Sequence, residues 1–264
     1  MTVVWTQWPD LKLPAGVTHL PTDGISPAAG DLNKVEFYVP RYMGGPAAIA
    51  MIPDMKGLKV IQSPNAGVDD VIALRPAGVT LCNAAGVHDA STAELAVGLA
   101  IAARRGFAQF AKDQSAGKWS HTTYASLTDS KVAIVGHGNI GKTIAGMLAG
   151  FEVEITSFSK SGADGAVKMD KFDALLPTFD VIILIVPLNS ETRHLINANR
   201  LAAMKYGAAL INVARGAVVD TDALLKELQT GRISAGLDVT DPEPLPSGHP
   251  LWSAPNTFIT PHVG

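Results

Sequence analysis

The chain is poor in cysteine, in aromatic residues and in charge. Cys82 is its only thiol, which excludes an intrachain disulfide and any cysteine-built metal centre. Nothing therefore calls for an oxidising compartment, and a cytoplasmic location is the expectation. Basic residues are in no excess, since 21 Lys and Arg face 24 Asp and Glu for a formal net charge of −3. A chain without a basic field is not expected to bind nucleic acid. The seven histidines fall at no ligand-like spacing, so no metal site is expected. Long apolar runs are missing too. The longest apolar helix candidate, residues 93–103, holds Glu94 and ends at Arg104-Arg105. It is too short to span a bilayer. The first residues, Met1-Thr2-Val3-Val4-Trp5, lack a basic stretch leading into an apolar signal core.

What is present is apolar material, 47% of 264 residues, enough for one large or two modest cores. Short β-branched runs at 3–5, 35–39, 58–61 and 79–82 read as strands. Turn clusters separate them, such as Pro21-Thr22-Asp23-Gly24 and residues 40–46. That alternation suggests a small parallel-sheet domain. Asp89-Ala90-Ser91-Thr92-Ala93-Glu94 opens a helix, with Asp89 or Ser91 as its cap. The helix is apolar on nearly all sides through Ala103, which suits a connector between two packed units. After a polar stretch, residues 114–130, a second series of strands is expected at 131–135, 153–158, 181–186, 208–213, 234–239 and 257–260. Helical spacing over 221–229 and elsewhere implies a doubly wound parallel sheet, with ligands outside the carboxyl ends of its strands.

The second series opens on Lys131-Val132-Ala133-Ile134-Val135-Gly136-His137-Gly138-Asn139-Ile140-Gly141. A β-branched run leads into Gly-x-Gly-x-x-Gly, and Ile140, Ile144, Met147 and Leu148 then repeat at roughly helical spacing. Strand, tight glycine turn and helix N-terminus make a pyrophosphate cradle. Gly136 would permit the turn, Gly138 the approach of phosphate, and Gly141 close helix–strand packing. Three polar residues follow later strands: Arg215 after residues 208–213, Glu243 in Asp241-Pro242-Glu243-Pro244, and His262 in Thr260-Pro261-His262. All would emerge on the edge that carries the glycine loop. Arginine stabilises developing alkoxide charge, and histidine beside a carboxylate is a proton donor near neutral pH.

Several blocks, in order, carry a resemblance. They are Ser63-Pro64-Asn65-Ala66-Gly67-Val68-Asp69, Asn83-Ala84-Ala85-Gly86-Val87 with Thr92-Ala93-Glu94, residues 136–141, and Pro187-Leu188 with Glu191-Thr192-Arg193. Asn212-Val213-Ala214-Arg215-Gly216, Leu237-Asp238-Val239 with Glu243-Pro244-Leu245-Pro246, and Thr260-Pro261-His262-Val263-Gly264 complete them. Together they resemble the D-isomer-specific 2-hydroxyacid dehydrogenases, which include glyoxylate/hydroxypyruvate reductases. The resemblance covers nearly the whole chain from about residue 58. It implies an α/β protein of two doubly wound parallel-sheet domains: a flavodoxin-like substrate domain (1–94) and a Rossmann nucleotide-binding domain (95–264). It also implies a helix beyond Gly264 that returns to the substrate domain and is missing from this sequence.

By that resemblance Arg215 binds the carboxylate and keto oxygen of a small 2-keto acid. His262 protonates the oxygen as hydride arrives, and Glu243 holds its ring and favours the charged form. Ala66, Gly67 and Val68 resemble the backbone clamp on the substrate carboxylate. Thr92, Gly136, His137, Gly138, Asn139, Ile140, Gly141, Val186, Pro187, Val213, Ala214, Arg215, Asp238 and His262 would line the cofactor, Asp238 taking the nicotinamide carboxamide. Ser159 stands where an NAD-specific member carries Asp, with Lys160 and Ser161 following. Loss of that carboxylate beside a cation points to NADP(H) as the preferred cofactor, NAD(H) being possible. Residues 113–124 resemble a projecting dimer segment, so a homodimer is expected. The readings weighed against the reductase are a phosphoglycerate or other 2-hydroxyacid dehydrogenase using NAD, a non-catalytic nucleotide-sensing scaffold, and a methyltransferase.

Overall fold

The computed structural model describes residues 1–8, 10–20 and 31–264; the turn cluster expected at residues 21–24 lies outside them. The chain forms two compact units, Met1–His88 and Asp89–Gly264. Helix α3 begins at Asp89, so the helix falls entirely within the second unit. The expected boundary at 94/95 would have cut its first turns.

The first unit contains β1 (Thr2–Trp5), β2 (Val17–Leu20), β3 (Phe37–Tyr38), α1 (Gly45–Ile49), β4 (Val60–Gln62), α2 (Asp69–Ile72) and β5 (Thr80–Cys82). Among the described residues five strands run parallel in the order β2-β1-β3-β4-β5. Trp5 stacks on Tyr38 with centroids 4.6 Å apart, and both join Val35, Ile52, Met55 and Ile61 in the core. Strand β2 was not foreseen. Val17-Thr18-His19-Leu20 is a half-buried edge strand, and so few aliphatic residues leave no clear alternation to read.

The second unit contains α3 (Asp89–Arg104), α4 (Phe107–Ser115), β6 (Lys131–Val135), α5 (Asn139–Leu148), β7 (Glu154–Ser159), β8 (Val167–Lys168), α6 (Phe172–Leu175) and β9 (Val181–Leu184). It continues with α7 (Ala198–Ala203), β10 (Ala209–Asn212), α8 (Thr221–Gln229), β11 (Ser234–Leu237) and β12 (Thr257–Ile259). Seven parallel strands take the order β12-β11-β10-β9-β6-β7-β8. The order reverses direction at β6, which places the glycine loop at the switch point where such sheets bind ligands. Strands β9 and β10 are buried at every residue, the reason they read as unbroken apolar runs rather than alternating ones.

Two layers cover the sheet. On one face α3 and α5 pack together, with Ala96, Leu99, Ala100, Ile144 and Leu148 buried against Val132, Ile134, Ile183 and Ile211. On the other, Phe158, Phe172 and Phe179 meet edge to face and join Leu201, Leu224 and Leu228. Asp220 caps α8 by accepting a hydrogen bond from the Ala223 amide at 3.0 Å, a contact of about 1 kcal/mol at helix N-termini. Helix α4 and the two-residue edge strand β8 were not foreseen. Among the described residues no helix is long and apolar enough to cross a membrane.

Candidate active site

The glycine loop follows β6 directly. Gly136 has φ +120°, and a side chain there would collide with the Ile185 carbonyl. A side chain at Gly141 would collide with the carbonyl of Gly136. These two glycines therefore let β6, the turn and α5 lie in contact. Gly138 is different: it is the N-cap of α5, and a Cβ there would meet nothing within 4 Å. The space beyond it faces first-turn amides that a helix cannot satisfy internally. His137 adds a buried Nδ1 with no partner, while its Nε2 lies 3.1 Å from the Asp164 carbonyl oxygen. Open space, orphan amides and an unpartnered buried nitrogen fit the pyrophosphate of a dinucleotide.

The loop after β10 carries Arg215. Buried Asn212 builds its turn, its Oδ1 accepting from the Ala214 amide at 3.1 Å and its Nδ2 donating to the Arg215 carbonyl at 2.9 Å. Val213 and Ala214 are buried in that turn, and Arg215 Nη1 donates to the Ala214 carbonyl at 2.8 Å. A side chain at Gly216 would overlap the Thr240 carbonyl, so the Arg215 and Glu243 loops can touch only because residue 216 has none. Thr221 Oγ1 ties them again by donating to the Asp241 carbonyl at 2.9 Å.

Glu243 and His262 are brought together from 19 residues apart. His262 Nδ1 lies 2.6 Å from Glu243 Oε1, with both side chains about one third exposed. Burial pushes the Glu243 carboxyl up, but the hydrogen bond and charge of His262, the Thr240 amide and the nearby Arg215 charge outweigh it. The carboxyl ends below its ordinary range. His262 itself sits at φ +55°, and Asp238 holds it there. The buried Asp238 carboxylate accepts from Thr260 Oγ1 at 2.6 Å, the Val263 amide at 3.0 Å and the Gly264 amide at 3.1 Å. The His262 amide in turn donates to the Asp238 carbonyl at 2.8 Å. Thr92, buried in the first turns of α3, lies beside Gly264. The sequence placed Asp238 near a nicotinamide but missed this anchoring role, which rests on contacts more than 20 residues away.

Ser159 ends β7. Its Oγ accepts from the Gly162 amide at 3.0 Å, and Ser161 Oγ accepts from the Ala163 amide at 3.2 Å. Each hydroxyl keeps its own hydrogen to donate. Lys160 Nζ donates to both carboxylate oxygens of Glu191 at 2.6 Å. Glu191 stands in the loop that Val186 and Pro187 begin, past β9, and the sequence had given it no role. In the first unit Ala66, Gly67 and Val68 form the loop between β4 and α2, where Asn83 Nδ2 donates to the Ala66 carbonyl at 2.8 Å. Among the described residues no three His, Cys, Asp or Glu side chains gather as metal ligands.

A switch-point phosphate cradle sharing its sheet edge with a carboxylate-bound histidine defines the class: a dinucleotide-dependent oxidoreductase. Residues 97–264 match the NAD binding domain of the D-isomer specific 2-hydroxyacid dehydrogenases, and the chain belongs to that family. It is accordingly a 2-hydroxyacid dehydrogenase that uses a nicotinamide cofactor. It is 35% identical to the hydroxypyruvate reductase of Thermotoga maritima over 219 residues, 79% of this chain and 71% of that enzyme. Its fold is similar to a glyoxylate reductase of Paecilomyes thermophila, with TM-score 0.83, 26% identity and coverage of 100% and 88% of the two chains. A D-isomer specific 2-hydroxyacid dehydrogenase from Xanthobacter autotrophicus Py2, solved with NADPH and MES, is similar at TM-score 0.79 and 26% identity, covering 99% and 88%.

Proposed function

We propose that the chain is an NADPH-dependent reductase of a small 2-keto acid of the glyoxylate or hydroxypyruvate type, yielding the D-2-hydroxy acid. The observation that carries this reading is the 2.6 Å contact between His262 Nδ1 and Glu243 Oε1 beside the Arg215 turn. The bound nicotinamide supplies the hydride. The Arg215 guanidinium holds the substrate carboxylate and the keto oxygen, and stabilises negative charge as it develops on that oxygen. Glu243 accepts from Nδ1–H and so leaves Nε2 as the atom that carries the transferable proton. Protonated His262 donates from Nε2 to the oxygen, and in the reverse direction neutral Nε2 takes the proton back. Glu243, held below the usual carboxylate range, stays anionic throughout and keeps its contact with the ring.

Ala66, Gly67 and Val68 as substrate-binding residues, and Thr92, Asn139, Ile140, Val186, Pro187, Val213, Ala214 and Asp238 as cofactor-binding residues, belong to the same proposal. So do a homodimer and a cytoplasmic location. NADPH is favoured because Ser159 brings no carboxylate to the end of β7, while the Ser159 and Ser161 hydroxyls and Lys160 can all donate to a 2′-phosphate. The test is a steady-state panel of glyoxylate, hydroxypyruvate, 3-phosphohydroxypyruvate and phenylpyruvate with each cofactor. The highest kcat/KM is expected with NADPH and one of the first two. A clear NADH preference, or turnover confined to the phosphorylated or aromatic acid, would overturn the corresponding half.

A further inference from the structure

The Lys160–Glu191 pair lies across the glycine loop. Strands β7 and β9 flank β6, Lys160 follows β7, and Glu191 stands in the loop after β9. Their contact therefore links two neighbours of the strand that ends in Gly136. Glu191 is set in place by its own turn. Asn189 Oδ1 accepts from the Glu191 amide at 2.9 Å and the Thr192 amide at 3.1 Å. Thr192 Oγ1 donates to the Pro187 carbonyl at 2.6 Å, and the Asn189 amide donates to that hydroxyl at 2.9 Å. The carboxylate is thus held by the loop, whereas Lys160 swings on a flexible stem.

We propose that Glu191 is a specificity-determining residue that competes with the cofactor's 2′-phosphate for Lys160. The inference rests on the NADPH reading above. The Lys160 and Glu191 side chains are 82% and 61% exposed, so the pair opens at little cost and the lysine can change partner. A 2′-phosphate must take Lys160 from Glu191 and then sit near the carboxylate it displaced. A 2′-hydroxyl makes neither demand, so the pair stays closed over it. Cofactor preference is then set by a balance between one lysine and two anions, not by Ser159 and Lys160 alone.

Calorimetric titration of the intact protein with 2′,5′-ADP and with ADP tests this without turnover. Glu191→Gln is expected to tighten 2′,5′-ADP by about two- to fivefold, the range an exposed ion pair supports, and to leave ADP unchanged. The gain should vanish in the Lys160→Ala background and shrink at high salt. Wild-type protein that favours 2′,5′-ADP with no gain in Glu191→Gln would overturn the competition and spare the cofactor reading. A gain in Glu191→Gln where the wild type favours ADP would support the competition and overturn the cofactor reading. Equal binding of both ligands by wild type, Glu191→Gln and Lys160→Ala would overturn both.

Discussion

The role proposed for Arg215 is one that a point charge fills poorly. Its planar fork can hold a carboxylate and a keto oxygen at once, and lysine cannot reproduce that geometry. Arg215→Lys is therefore expected to lower kcat/KM by about 10²- to 10³-fold, the cost of losing one preorganised donor to a developing oxyanion. A loss under threefold in steady-state assays would remove Arg215 from the mechanism. Glu243→Gln keeps an acceptor for Nδ1–H but removes the negative charge paired with the ring. Reduction is expected to fall by about tenfold in steady-state assays, the scale of a charge-assisted hydrogen bond exchanged for a neutral one. A kcat/KM equal to wild type would show that the Glu243 charge is idle.

At the scale of elements, the site depends on where loops can touch. The Arg215 turn meets the Glu243 loop at Gly216, against the Thr240 carbonyl, and Asn212 fastens the turn from beneath. Gly216→Ala forces the two loops apart. It is expected to cost about 1–3 kcal/mol of stability, as overpacking does, and to lower kcat more than KM. Thermal unfolding beside kinetics checks it: full activity with unchanged stability would mean that the loops adjust freely. Asp180 plays a comparable part at the opposite ends of the strands, accepting from the Lys131 amide at 2.9 Å and from Lys205 Nζ at 2.7 Å. It joins the start of β6 to the segment before β10.

At the scale of the whole molecule, several carboxylates tie stability to pH. Asp173 is held below its usual range by its hydrogen bond to Arg200. Burial pushes Asp180 up, but Lys205, the Lys131 amide and Arg104 outweigh it. Glu243 is lowered as well. Groups with depressed folded pKa values bind fewer protons folded than unfolded, so their stabilisation is full above about pH 4–5 and is lost as the pH falls through the folded values. The thermal midpoint should be flat near neutrality and drop below about pH 4; a midpoint that rises on acidification would contradict the assignment. The proposed homodimer is checked by sedimentation of the 27.6 kDa chain, with twice that mass expected and a monomer at micromolar concentration refuting it.

The parallel-sheet class, and the placing of Arg215, Glu243 and His262 at strand ends, were legible in local residue pattern alone. Buried parallel strands such as β9 and β10 must be continuously apolar, and a glycine loop must read as glycines, so local pattern carried them. It could not supply β2 or β8, whose edge positions impose too little burial to mark the residues. Which groups meet depends on how the strands are arranged in space. The Asp238 anchor on the His262 loop spans 22 to 26 residues, and the Lys160–Glu191 pair spans 31. Such contacts are fixed by sheet order, which sets neighbours in space that no spacing along the chain encodes.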